Sequence, residues 1–206
     1  MAHAPGAGGA DWPTGADPLP HDEATLAEAV ALVGAATAAR RAGDHQRATV
    51  VALEALGRLG QRLPDLLEAD LEPGVLDAEA LAAVTGDLLD AVLGHPSTLL
   101  ATYGSLRPGG SLHHVVAPLG GAWTEGELRG DVRVVAGYPV LRWHRHGAAV
   151  PASLLRADAL RGAWPSLDEV EGPRYRRAVV LAWVPGGPVA ATAYVDAADG
   201  SAVTGP

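Results

Sequence analysis

The stretch YGSLRPGG, residues 103–110, decides how the second half of this chain folds. It follows a short apolar run, Thr98–Tyr103, and precedes a predicted helical piece, Ser111–Ala117. Glycines at the end of a strand let several main-chain N–H groups point at one anion or one developing oxyanion. The spacing matches neither the dinucleotide-binding GxGxxG pattern nor a Walker loop. Taken alone, the stretch predicts either an ordinary turn or an anion-binding loop.

Short runs of β-branched and aromatic residues, separated by Gly, Pro and Asp, continue on both sides of this stretch. The other predicted strands are Trp123–Leu128, Val132–Ala136, Val140–His144, Val150–Leu155, Arg177–Trp183 and Val189–Val195. Pro185-Gly186-Gly187 predicts a hairpin turn between the last two, and a helix is expected at about Ala157–Glu171. The pattern predicts an α+β fold: a small, mainly antiparallel β-barrel with packed helices over residues 98–196.

The first half of the chain has helical spacing instead, and it precedes the barrel as an α-helical N-terminal extension. We expect a disordered tail over residues 1–21, an acidic helical hairpin or bundle over 22–95, and a flexible tail over 197–206. Three helices are predicted, with N-terminal signals at Thr25 with Glu28, at Asp44 and at Asp77. They end at Gly43, at Gly60 and at about Leu93, and a helical turn is expected at Pro64–Ala69. One tetratricopeptide-like unit near Gly43 is a weaker alternative, because no second copy is present.

Charge and composition exclude several classes of function. Residues 1–97 hold five Arg against fifteen Asp and Glu, a net charge of −10, whereas residues 98–206 hold ten Arg against nine acids, a net charge of +1. An acidic chain without a clustered basic surface argues against a nucleic-acid partner, and no stretch is apolar enough to span a membrane. Lysine and cysteine are absent, which excludes Schiff-base, P-loop and thiolate chemistry. The residue usage indicates a GC-rich, bacterial source, and the missing signal peptide predicts a cytoplasmic protein.

A second segment whose residues could take part in catalysis is LDEVEGPRYRR, residues 167–177. Gly172 and Pro173 end a helix here, so Glu171 falls at a helix C-terminus close to Asp168 and Glu169. The negative end of the helix dipole and the nearby carboxylates would both raise the pKa of Glu171 towards the range useful for general acid–base work. A solvated, charge-balanced turn is the alternative interpretation.

Four histidines suggest a different hypothesis. His144 and His146 would face the same side of a strand and, with His113 or His114, could form a metal site. This interpretation would make the protein a metal-dependent hydrolase. It is disfavoured, because no cysteine and no neighbouring acid completes a tetrahedral set.

Together, YGSLRPGG, Gly137-Tyr138-Pro139 and LDEVEGPRYRR resemble the gamma-glutamylcyclotransferase-like family, also called the avirulence-induced-gene-like family. The resemblance covers about residues 98–196. It implies a compact barrel with a cavity at one mouth, where the loop of Tyr103, Gly104, Ser105 and Leu106 binds the substrate through main-chain N–H groups. It also implies that Glu171 is the acid–base residue, and that no metal or other cofactor is needed.

The implied reaction is release of 5-oxoproline from gamma-glutamyl amines or peptides, by attack of the α-amine on the γ-carbonyl. Tyr175 is expected either to donate a hydrogen bond into the cavity or to pack in the barrel. The chain departs from the family in lacking an Asn at Ser111–His114 and a Gly-Glu pair at Val150–Ser153, which bears on the leaving group.

Two functions of different classes follow from these observations. The first is a gamma-glutamyl cyclotransferase that acts on a small-molecule substrate. The second is a non-catalytic ligand-binding or scaffold module of the same fold. A Glu171 carboxyl inside the cavity, beside the Tyr103–Leu106 amides, would favour catalysis. The helices over residues 22–95 are expected to cover the cavity or to mediate a homo-oligomer or a contact with another protein.

Overall fold

The computed structural model describes residues 22–61 and 77–198. The helices are α1 (Glu23–Arg41), α2 (His45–Arg58), α3 (Ala78–Val92), α4 (His113–Val116) and α5 (Leu160–Glu171). The strands are β1 (Leu99–Thr102), β2 (Ala122–Val135), β3 (Tyr138–Trp143), β4 (Ala148–Arg156), β5 (Tyr175–Val184) and β6 (Gly187–Asp196). The predicted tail over 1–21, the helical turn at Pro64–Ala69 and all but two residues of the predicted tail over 197–206 lie outside the described residues.

The six strands form one sheet in the order β3-β2-β4-β1-β6-β5. β2 also pairs with β5, where Glu127 lies opposite Trp183, and this contact closes five of the strands into a barrel. β1 and β6 run parallel, and the other pairings are antiparallel. Closure pairs the strand edges that an open sheet would leave exposed. The predicted mainly antiparallel barrel with packed helices is confirmed.

β2 is longer than the sequence predicted. Two separate strands were expected, Trp123–Leu128 and Val132–Ala136, but the structure has one continuous strand of 14 residues. Gly130 lies opposite both Ala148 of β4 and Trp143 of β3, so the strand changes partners there without breaking. A Cβ atom at Gly130 would lie 2.2 Å from the Arg142 carbonyl oxygen, so a residue without a side chain is needed at this crossing.

Aspartates cap the three N-terminal helices. Asp44 accepts a hydrogen bond from the Arg47 N–H at 3.1 Å and Asp77 one from the Ala80 N–H at 2.8 Å, which confirms both predicted caps. The predicted start at Thr25 is wrong. Asp22 accepts from the Thr25 N–H at 2.9 Å, so α1 begins earlier, at Glu23.

The apolar faces of these helices are buried in the same core as the barrel. Leu26, Val30, Leu56 and Leu89 from the helices belong to one cluster with Leu128, Leu154 and Leu181 from the strands. A second cluster lies beneath α5 and includes Leu100, Leu106, Val116, Leu160, Trp164 and Tyr194. The N-terminal helices therefore pack on the barrel itself. Within the described ranges, no helix has the length and apolar character needed to cross a bilayer.

Replacement of Leu56 tests this shared core. Leu56 on α2 is 2% exposed, so Leu56→Ala should lower the free energy of unfolding by about 2–5 kcal/mol. Urea unfolding followed by far-UV circular dichroism, which reports the helices, and by tryptophan fluorescence, which reports mainly the barrel, should give coincident transitions. Val50 on the same helix is 64% exposed, so Val50→Ala should change little. Separate transitions for the two signals would contradict a common core.

Candidate active site

A cavity of about 530 Å³ opens at one end of the barrel. Its walls come from the loop after β1, the turn between β2 and β3, the end of α5 and the strand β6. The lining includes Tyr103, Gly104, Ser105, Leu106, Ser111, Tyr138, Pro139, Glu171, Arg174, Tyr175 and Tyr194. This volume lies within the range of about 300–1,000 Å³ that is usual for small-molecule sites. Every residue expected at the site from the sequence therefore lines one cavity.

The loop after β1 is a compact turn that leaves donors unused. The Leu112 N–H donates to the Ser105 carbonyl oxygen at 3.0 Å, which closes the loop. A Cβ atom at Gly110 would lie 2.1 Å from that same oxygen, so only glycine fits. Within residues 22–61 and 77–198, the main-chain N–H groups of Gly104, Ser105 and Leu106 have no acceptor. The loop thus offers these donors to an anionic group in the cavity.

The side chain of Tyr103 ties this loop to the barrel. Its hydroxyl donates to the Tyr194 carbonyl oxygen at 2.9 Å and accepts from the Leu141 N–H at 3.0 Å. Burial raises the pKa of Tyr103 well above its usual value, so the hydroxyl stays protonated. Because the single hydroxyl proton is used within the fold, the Tyr103 side chain has no hydrogen bond to donate to a ligand.

Glu171 is the last residue of α5, and its side chain lines the cavity. Burial raises the pKa of this carboxyl to about 7. The sequence predicted the direction, but it assigned the effect to the helix end and to neighbouring carboxylates. Those neighbours are directed elsewhere, because Asp168 accepts from the Tyr194 hydroxyl at 2.8 Å and lies 3.5 Å from an Arg177 nitrogen, while Glu169 is exposed.

Tyr175 has its hydroxyl engaged at the cavity wall. It donates to the Pro139 carbonyl oxygen at 2.8 Å, and burial raises its pKa. The residue lines the cavity, but its hydroxyl proton is used to hold the start of β3. Tyr175 thereby ties the segment after α5 to the start of β3.

Arg174, Tyr138 and Tyr194 are among the lining residues that were not predicted from the sequence to belong to the site. Tyr138 belongs to Gly137-Tyr138-Pro139, and Arg174 follows the Gly172-Pro173 break, so both lie in segments already singled out. Tyr194 lies in β6, a strand without a motif, and only the topology places it beside Tyr103.

The four histidines of the metal-site hypothesis do not come together in one site. His144 and His146 lie in the turn after β3, not in a strand as expected, because β3 ends at Trp143. His144 Nε2 is 3.1 Å from Asp131 Oδ2, and His146 Nε2 accepts from Arg145 Nε. His113 contacts the Leu106 carbonyl oxygen and the Trp123 ring, and His114 contacts the Ser111 carbonyl oxygen. No group of three metal-binding side chains occurs in the described part of the chain.

A larger groove of about 840 Å³ separates the N-terminal helices from α5 and β5. Small apolar side chains and arginines line it, including Arg40, Arg161, Arg176 and Arg177. Glu171 and the loop after β1 do not contribute to it. The smaller cavity is the better candidate site, because it combines a carboxyl of raised pKa with unused main-chain donors.

The raised pKa of Glu171 predicts a pH-dependent stability. A folded-state pKa of about 7, against 4.5 in an open chain, means that ionisation costs the folded state free energy as the pH rises through this window. Glu171→Gln should therefore be more stable than the wild type at pH 8, by about 1–3 kcal/mol, and equal to it below pH 4. Urea unfolding at both pH values measures this difference. The matched control is Glu169→Gln, and an equal effect of the two substitutions would refute the assignment.

The barrel is similar to several solved structures. The barrel is similar to an AIG2-like protein from Mus musculus, at 22% identity over 50% of this chain and 80% of that one, with a TM-score of 0.42. YkqA from Bacillus subtilis is 24% identical over 48% of this chain and 35% of that one, with a TM-score of 0.40. A protein from Pyrococcus horikoshii is 20% identical over 48% of this chain and 78% of that one, with a TM-score of 0.38.

Among curated proteins, no match is found. The model of the family described as gamma-glutamyl cyclotransferase, AIG2-like matches residues 100–203, which is half of the chain. The match includes the loop after β1, the end of α5 and the strand that carries Tyr194. The chain therefore belongs to the gamma-glutamyl cyclotransferase, AIG2-like family.

Proposed function

We propose that this protein is a gamma-glutamyl cyclotransferase that releases 5-oxoproline from a gamma-glutamyl amine or peptide. The observation that carries the proposal is the carboxyl of Glu171, with its pKa near 7, in one cavity with the unused N–H groups of Gly104, Ser105 and Leu106. Membership of the family supports a cyclotransferase-type fold, and the site chemistry supports the reaction. We place the protein in the cytoplasm as part of the same proposal.

The reaction needs little from the protein because both reacting groups belong to the substrate. The α-nitrogen attacks the γ-carbonyl carbon, a five-membered lactam forms, and the bond to the leaving nitrogen breaks. A tethered nucleophile replaces a bimolecular step by a unimolecular one, which lowers the entropic part of the barrier. The protein has to hold the bent conformer, to stabilise the oxyanion and to move protons.

Glu171 is suited to the proton transfers. The substrate's α-ammonium group is a weaker acid than a carboxyl, so transfer of its proton to a carboxylate is uphill. Raising the carboxyl pKa from 4.5 to about 7 makes this step less costly by about 3 kcal/mol. The protonated carboxyl then donates to the leaving nitrogen as the C–N bond breaks. Two protons leave the α-nitrogen and two reach the leaving amine, so Glu171 ends as it began.

The loop after β1 supplies the electrostatic part of the mechanism. Main-chain N–H groups fixed by the turn can bind the glutamyl carboxylate or the oxyanion of the tetrahedral intermediate. Tyr103 anchors the first residue of the loop to β3 and β6, so the donors do not have to reorganise during the reaction. Burial of the cavity walls strengthens these interactions relative to water.

The first test is detection of 5-oxoproline by mass spectrometry after incubation with a panel of gamma-glutamyl amines and dipeptides. The wild type should release 5-oxoproline, and Glu171→Gln should lower kcat by about 10²–10⁴-fold, because an amide of the same shape cannot move the proton. Glu169→Gln, on the exposed side of the same helix, should retain wild-type activity.

Two outcomes would contradict the proposal. Release that survives in Glu171→Gln would exclude the acid–base role. No release across the panel by a folded wild type, with calorimetric binding of the same compounds, would favour the non-catalytic binding module instead.

A pH profile gives an independent check. Because the base must be ionised in the free enzyme, kcat/KM should rise about tenfold per pH unit below pH 7 and level off above it. Steady-state rates between pH 5 and 8 measure this rise in kcat/KM. A rise centred near pH 4.5 would mean that the titrating carboxyl is not the buried one.

A further inference from the structure

Arg174 is a cation on the cavity wall that the proposed chemistry does not use. It follows the Gly172-Pro173 break and lines the same cavity as Glu171. Two other arginines near this end of the barrel are paired with carboxylates, Arg133 with Asp196 and Arg177 with Asp168. In the described part of the chain, Arg174 has no carboxylate within ion-pair distance. A fixed positive charge without a counterion in a cavity favours an anionic ligand.

Two contacts hold the guanidinium in place. Its Nη1 donates to the Val135 carbonyl oxygen at 2.9 Å, and its carbon lies 5.5 Å from the centre of the Tyr138 ring. Val135 ends β2 and Tyr138 begins β3, so the side chain is held against the two strand ends that flank the β2–β3 turn. The remaining N–H groups of the planar fork are available to a ligand. An immobilised guanidinium binds a carboxylate with little further loss of entropy.

Arg174 lies at a different place in the cavity from the groups proposed to bind the glutamyl part of the substrate. In the proposed mechanism, the donors of the loop after β1 and the carboxyl of Glu171 act on the glutamyl part of the substrate. Arg174 lies beside Tyr138, which is 57% exposed and therefore at the open mouth of the cavity. The leaving group is the part of the substrate that must depart through this mouth.

We propose that Arg174 binds a carboxylate on the leaving group, so that the preferred substrates are gamma-glutamyl amino acids and not simple gamma-glutamyl amines. This inference rests on the proposed cyclotransferase function. It assigns the leaving-group side of the cavity, which the family resemblance left open, to a residue of this chain. The selectivity comes from pairing one fixed charge with one carboxylate.

The test uses two substrates that differ only by the carboxylate, gamma-glutamylalanine and gamma-glutamylethylamine. The readout is the ratio of their kcat/KM values, measured as 5-oxoproline release. The wild type should prefer the dipeptide, and Arg174→Gln should lower the ratio about 10- to 100-fold, the usual effect of losing a charge-assisted pair. Arg174→Lys keeps the charge but not the fork, so it should give an intermediate ratio.

Arg176→Gln is the matched control. It removes the same charge two residues further along the chain, but Arg176 lines the larger groove and not this cavity. The ratio should therefore stay at the wild-type value. If Arg174 only supported the fold through Val135 and Tyr138, its replacement would lower both kcat/KM values and leave the ratio unchanged, and that result would overturn the inference.

Failure of the inference can be separated from failure of the proposed function. If the wild type releases no 5-oxoproline from either compound, the function is wrong, and calorimetric binding of the same pair then tests the subsite. Tighter binding of gamma-glutamylalanine that is lost in Arg174→Gln would support the carboxylate subsite. Equal binding of the two compounds by the wild type, or a preference that survives the substitution, would overturn it.

Discussion

Closure of the barrel is the constraint on which the rest of the structure depends. β2 pairs with β4 along its first part, touches β5 at Glu127 and continues past Gly130 to pair with β3. A single strand thus closes the barrel and carries the hairpin that forms a cavity wall. The hairpin that begins beyond Gly130 places Tyr138 and Pro139 in the same cavity as Glu171.

The cavity combines two environments that serve different purposes. The loop after β1 is held by hydrogen bonds at both ends, through the Tyr103 hydroxyl and the Leu112 N–H, and its cavity-lining residues keep main-chain donors without an acceptor in the described part of the chain. The end of α5 instead places a carboxyl where burial disfavours its charge. A rigid donor array beside a carboxyl of raised pKa suits a reaction that develops negative charge on oxygen while a proton moves.

Most of the fold and part of the site could be predicted from the sequence. Helix caps at Asp44 and Asp77 and the alternation of the strands were predictable, because these signals are local. The continuity of β2 was not, since a glycine looks like a turn until both of its partner strands are known. For the same reason Tyr194 was missed, and the cause of the raised Glu171 pKa was misassigned. Burial depends on which elements pack over a residue, and this is a long-range property.

The break at Gly172-Pro173 has an evolutionary consequence. It separates the helix that holds Glu171 from the short segment that presents Arg174, so the two side chains are supported by different pieces of backbone. Position 174 can therefore be exchanged by a single codon change without moving the carboxyl. Under the proposed function, substitutions at position 174 would change the leaving-group preference while the carboxyl proposed for proton transfer keeps its place.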